Sequence, residues 1–108
     1  MTNPPTVLLH VSDRPEDIVR ALGSARTLHA HRPEFSIRII VNGPAITGLT
    51  VGAPALELSE AATVEACEVG MRGHDIRAEQ LQPGVRTTAS AVVALSNGQF
   101  DGAAYVRI

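Results

Sequence analysis

At 108 residues the chain has the length of one domain, long enough to bury a core without metals or disulfides. Apolar residues make up 44% and aromatic residues only 3%, so the core must be built from Ala, Val, Leu and Ile. A formal net charge of -2 with no strongly basic stretch argues against a nucleic-acid surface, and nine Arg with no Lys exclude Schiff-base chemistry and a P-loop lysine.

One cysteine, Cys67, rules out an intrachain disulfide and points to a reducing, cytoplasmic setting. The start, MTNPPTVLLHVSD, lacks the basic and long apolar regions of a signal peptide. No apolar run approaches the ~20 residues of a membrane-spanning helix, so no membrane partner is expected.

Residues 1–5 read as a disordered lead, and 6–108 as a single domain. TVLLHV (6–11) is a compact apolar run, too short for a helix, and reads as a buried strand. In SDRPED, Ser12 or Asp13 is placed to cap a helix, with Pro15 in its first turn and Glu16 and Asp17 at its positive end. Ile18, Leu22, Ala25 and Leu28 recur at helical spacing, and Pro33 stops the helix. FSIRIIV (35–41) is a second strand, cut by the turn NGP (42–44).

Residues 44–60 carry Gly48, Gly52 and Pro54 at intervals that permit only short helical pieces. TVEAC (63–67) reads as a third strand, and 68–81 as one or two short helical turns. After the turn QPG come a fourth strand (85–89), a helix (90–100) capped by Ser90, and a closing strand (102–108). Strands that are continuous apolar runs, alternating with helices, predict an α/β fold with a mostly parallel five-stranded sheet.

In such a sheet every strand ends on one edge, where ligands bind. The predicted ends gather His10 and Ser12, then Asn42 and Gly43, then Cys67, then Ser90. Cys67 has two readings. One is a small buried hydrophobe. The other is a thiol displayed for chemistry, its thiolate stabilised by the N–H groups of the helix after it and by the nearby Arg72 and His74. Glu65 and Glu68 flank it and oppose a thiolate if they lie close. His10 reads either as a hydrogen-bonded rim residue or as a proton-transfer partner for Cys67. HAH (29–31) does not place both rings on one helix face and lacks further ligands, so no metal site is expected. GPAITG (43–48) matches neither a dinucleotide nor a phosphate loop, and no cofactor is expected.

From Thr6 to Ile108 the chain resembles the DsrE/DsrF-like (YchN-like) proteins. The pieces, in order, are VLLHVSD, IIVNGPAI, VEACEVGMRGHDI with Met71 four places after the cysteine, LQPGVRTTASAVVAL and QFDGAAYVRI. The resemblance implies a three-layer α/β/α domain assembling as a homo-oligomer, trimer or hexamer. For the sulfur-relay members it implies a persulfide-bearing cysteine, here Cys67, served by sulfur-donor and sulfur-acceptor proteins. The alternative is a non-enzymatic module that binds a small ligand or partner, with Cys67 incidental. The chain departs from the family pattern in its broken 48–60 segment and in the two flanking glutamates.

Overall fold

The computed structural model describes residues 4–108, so residues 1–3 of the expected lead lie outside the described residues. Pro5 already joins the sheet, its carbonyl accepting from the Ser36 N–H at 2.9 Å. Five strands follow: β1 (Thr6–Val11), β2 (Ser36–Val41), β3 (Thr63–Cys67), β4 (Arg86–Thr88) and β5 (Ala104–Arg107). They form one sheet in the order β4-β3-β2-β1-β5, and every pairing is parallel. The α-helices are α1 (Asp17–His31), α2 (Glu68–Gly73) and α3 (Ala91–Phe100).

The central strands are apolar on both faces because both faces are covered. Leu9 lines a depression with Gly23, Ser24 and Leu28 of α1. Its neighbour Leu8 points the other way. There Gly98 of α3 lies so close that a methyl group would come within 2.7 Å of the leucine. The helices thus lie on opposite faces, giving the three-layer α/β/α arrangement. The core holds Leu8, Leu9, Val11, Ile18, Ile39, Ile40, Val41, Ile46 and Leu49, all fully enclosed, and not one of them aromatic.

Helix α1 begins later than the sequence predicts. Neither Ser12 nor Asp13 caps it. The Ser12 carbonyl accepts from the Ala45 N–H, and Asp13 accepts from Arg107 at 2.9 Å. Residues 14–18 form turns instead, and the buried Asp17 opens the helix between Arg14 and Arg20. Helix α3 is capped as predicted, with Ser90 Oγ accepting from the Val93 N–H.

The unpatterned stretch after β2 is a 3₁₀ helix, Gly43–Leu49, followed by irregular chain to residue 62. Three backbone groups of this irregular chain are satisfied by one buried side chain from far along the sequence. Gln82 accepts from the Leu56 N–H through Oε1 and donates through Nε2 to the carbonyls of Thr50 and Pro54. The segment therefore needs no helix to stay ordered.

Candidate functional site

Strand order fixes where the site lies. The crossovers from β1 to β2, β3 and β4 all move in one direction across the sheet. Right-handed connections therefore keep α1, the 3₁₀ helix and α2 on one face. From β4 the chain returns to the opposite edge beside β1, so α3 must cross the other face. The chain thus leaves β3 and β4, which are neighbours, towards opposite faces. A crevice opens at such a point, outside the carboxyl ends of the two strands. Cys67 is the last residue of β3, and Ser90 lies just beyond β4.

The crevice is a cleft of about 180 Å³ lined by Asn42, Gly43, Cys67, Gly70, Ser90, Ala91 and their neighbours Val69 and Val92. Four predicted residues, Asn42, Gly43, Cys67 and Ser90, meet here. Ser12 lies beneath the cleft floor against Gly43, which has φ +56 and no room for a side chain, since a Cβ would sit 2.8 Å from the Ser12 carbonyl oxygen. Arg72 is exposed in the last turn of α2 and is not among the lining residues.

Cys67 is 4% exposed and caps the start of α2, yet its sulfur takes no hydrogen bond from that helix. Instead the Ala91 N–H, the first of α3, donates to Sγ at 3.2 Å. The sequence pointed to the wrong helix. The α2 helix has six residues, while α3 has ten and an N-terminus aimed across the crevice. The first N–H and the positive end of α3 therefore face the sulfur across the crevice.

The flanking glutamates separate cleanly. Glu65 lies on the same sheet face as Cys67, two residues before it, but its carboxylate is gripped by Arg38 through two hydrogen bonds, 2.8 Å and 2.7 Å, with a third from Thr63 at 3.1 Å. That carboxylate holds the Arg38 guanidinium proton more firmly than usual, against the opposing effect of burial. Its charge is therefore neutralised locally. Glu68 sits half-buried in the first turn of α2, where negative charge suits the helix end.

His10 does not touch Cys67. Its Nε2 is 2.9 Å from Asn42 Oδ1, and its Nδ1 is 2.7 Å from the Tyr105 hydroxyl. Sequence reasoning missed Ala91 and Tyr105. Ala91 was within reach, being the first residue after a recognised cap. Tyr105 was not, because its role depends on β5 pairing with β1.

A larger open groove of about 620 Å³ lies at the other edge of the sheet, lined by Phe35, Leu58, Glu60, Thr63 and Arg86 among others. It holds no cysteine or histidine and sits at the amino ends of β2 and β3, away from the edge where parallel sheets bind ligands. Among the described residues no cluster of three or more His, Cys, Asp or Glu is arranged to hold a metal, and no helix is long and apolar enough to cross a membrane.

Two solved structures share this architecture. The protein of unknown function MTH1491 from Methanobacterium thermoautotrophicum superimposes with a TM-score of 0.81 at 20% identity, over 96% of this chain and 99% of that one. The ychN protein from E. coli superimposes with a TM-score of 0.75 at 16% identity, over 96% of this chain and 99% of that one. The fold is YchN-like. No protein-family model matches the sequence, and no curated protein matches it.

Proposed function

We propose that the chain is a cytoplasmic sulfur carrier that relays persulfide sulfur on Cys67. The observation that carries this reading is the 3.2 Å hydrogen bond from the Ala91 N–H to Cys67 Sγ inside the switch-point cleft. The resemblance of VEACEVGMRGHDI to the cysteine segment of DsrE/DsrF-like proteins supports it. The Cys67 thiolate attacks the outer sulfur of a donor persulfide, R–S–SH. A new S–S bond forms to Cys67, the donor's S–S bond breaks, and the donor leaves as its thiolate. An acceptor thiolate then attacks the outer sulfur of the Cys67 persulfide and restores the Cys67 thiolate. No net oxidation occurs, and one cysteine suffices because donor and acceptor each bring their own thiol.

Cleft size favours this over binding of a small metabolite. Ligand pockets commonly hold roughly 300–1,000 Å³, whereas this cleft holds about 180 Å³. That is room for one or two sulfur atoms or the tip of a partner's side chain. The test is transfer of labelled sulfur from a persulfide donor to an acceptor thiol. The protein should accelerate it, and Cys67→Ser should abolish the acceleration. No acceleration by the unmodified protein counts against the proposal.

A homo-oligomeric state belongs to the same reading. Val93 and Phe100 lie seven residues apart on the outer side of α3, 56% and 91% exposed, with Val92 beside them. A helix apolar on both sides is normally covered. This surface is the candidate for subunit contact; the 44–62 segment leaves only one large apolar side chain, Val51, exposed. Light scattering at 11.4 kDa, the mass of one chain, would contradict assembly.

A further inference from the structure

A hydrogen-bonded chain runs from the free edge strand to the cleft. The His10 ring stands on β1, tilted 55° against the Tyr105 ring of β5 with centroids 5.7 Å apart. Asn42 Oδ1 can only accept, so His10 Nε2, 2.9 Å away, carries the ring proton. Nδ1 then accepts from the Tyr105 hydroxyl at 2.7 Å. The charged neighbour on the same face is Arg107, opposite His10 in the sheet and held by Asp13, so no cation competes for the imidazole.

Asn42 has two ends. Its oxygen is committed to His10, and its Nδ2 has no protein partner among the described residues. The residue lines the cleft with Cys67. An unrestrained amide would turn either its oxygen or its nitrogen towards the cleft. An oxygen there would repel an anionic sulfur, and an N–H would attract one. Because His10 takes the oxygen, the nitrogen is the end left for the cleft.

We propose that His10 and Tyr105 are positioning residues that lock the Asn42 amide with its N–H towards the cleft, so that the site prefers an anionic reactant beside Cys67. This rests on the carrier reading and narrows it. The incoming anion is the acceptor thiolate, which attacks the outer sulfur of the Cys67 persulfide, and Asn42 receives its charge. Asn42 would touch the reactant, while His10 and Tyr105 act through it.

The test needs no sulfur donor, so its failure is separate from failure of the carrier reading. Iodoacetate and iodoacetamide alkylate the same thiolate and have nearly the same size, but only iodoacetate is charged. The ratio of their rates at Cys67 cancels changes in access and in thiolate content. In the full chain this ratio should exceed that of a small free thiol. It should fall about three- to tenfold in Asn42→Leu, the range one hydrogen bond supplies. His10→Phe should lower it similarly, Tyr105→Phe by less, and His10→Gln, which keeps an N–H donor, should largely restore it. An unchanged ratio in Asn42→Leu overturns the proposal. So does a ratio lost in Asn42→Leu but kept in His10→Phe. Tyr105→Phe, which removes one oxygen from an exposed side chain, keeps the test valid if His10→Phe does not fold.

Discussion

The Ala91 N–H donates to Cys67 Sγ at 3.2 Å and so ties the end of β3 to the start of α3. Sequence separates the two residues by 24 positions, but parallel pairing of β3 with β4 brings them together. The bond serves packing and chemistry at once. It satisfies one of the donors that a helix start leaves unpaired, and it sets a positive group against the sulfur.

A proline at Ala91 would set its ring carbon against Sγ in place of the N–H, so the donor is better tested through the cap that fixes the first turn of α3. Ser90→Ala removes the hydroxyl that accepts from the Val93 N–H. It should lower stability by about 1 kcal/mol in urea unfolding and slow iodoacetamide alkylation of Cys67 as the Ala91 N–H loses its fixed aim. Unchanged alkylation would show that the bond is packing alone.

Arg38 protects the site from Glu65. Arg38→Leu leaves a carboxylate whose side chain is only 11% exposed with Thr63 as its remaining partner. The loss should be roughly 1–3 kcal/mol in urea unfolding, because an unpaired, largely buried charge is costly. Alkylation of Cys67 should also slow, since the freed negative charge shares its sheet face. Arg38→Leu combined with Glu65→Leu should recover most of both effects.

Acid stability should depend on Asp17. Its hydrogen bond to Arg14, aided by Arg20 and opposed by burial, holds its carboxyl below the ordinary value of 3.8. A carboxyl depressed in the folded state stabilises the fold above the unfolded value. That stability is lost as pH falls from about 3.8 through the lower folded value. Asp17→Asn should flatten the decline in urea midpoint below about pH 4 while leaving its shape near neutrality unchanged. An equally steep decline in the variant would mean that other groups govern acid unfolding.

The sheet was legible because β1, β2 and β3 are short, mostly apolar runs of five or six residues, each interrupted by one charged or imidazole side chain and each ending at a polar or turn signal. Ser90 announced α3 by the same local chemistry. The short helical piece after β2 was legible from its glycines and proline, but the course of the chain from Thr50 to residue 62 was not, since it is held in part by Gln82, which no periodicity connects to Thr50 or Leu56. The start of α1 was misplaced because Ser12 and Asp13 find tertiary partners in Ala45 and Arg107. Cys67 could be assigned to the correct edge, but its donor, the neutralisation of Glu65 and the bond from His10 to Asn42 all depend on strand order and register.

The most direct test of the central claim is the intact mass of the purified protein after exposure to a persulfide donor and removal of the excess. The carrier account predicts addition of one sulfur atom, mapped to Cys67, absent in Cys67→Ser and discharged by a thiol acceptor. A protein that stays at its unmodified mass, under conditions that load an established persulfide carrier, would contradict it.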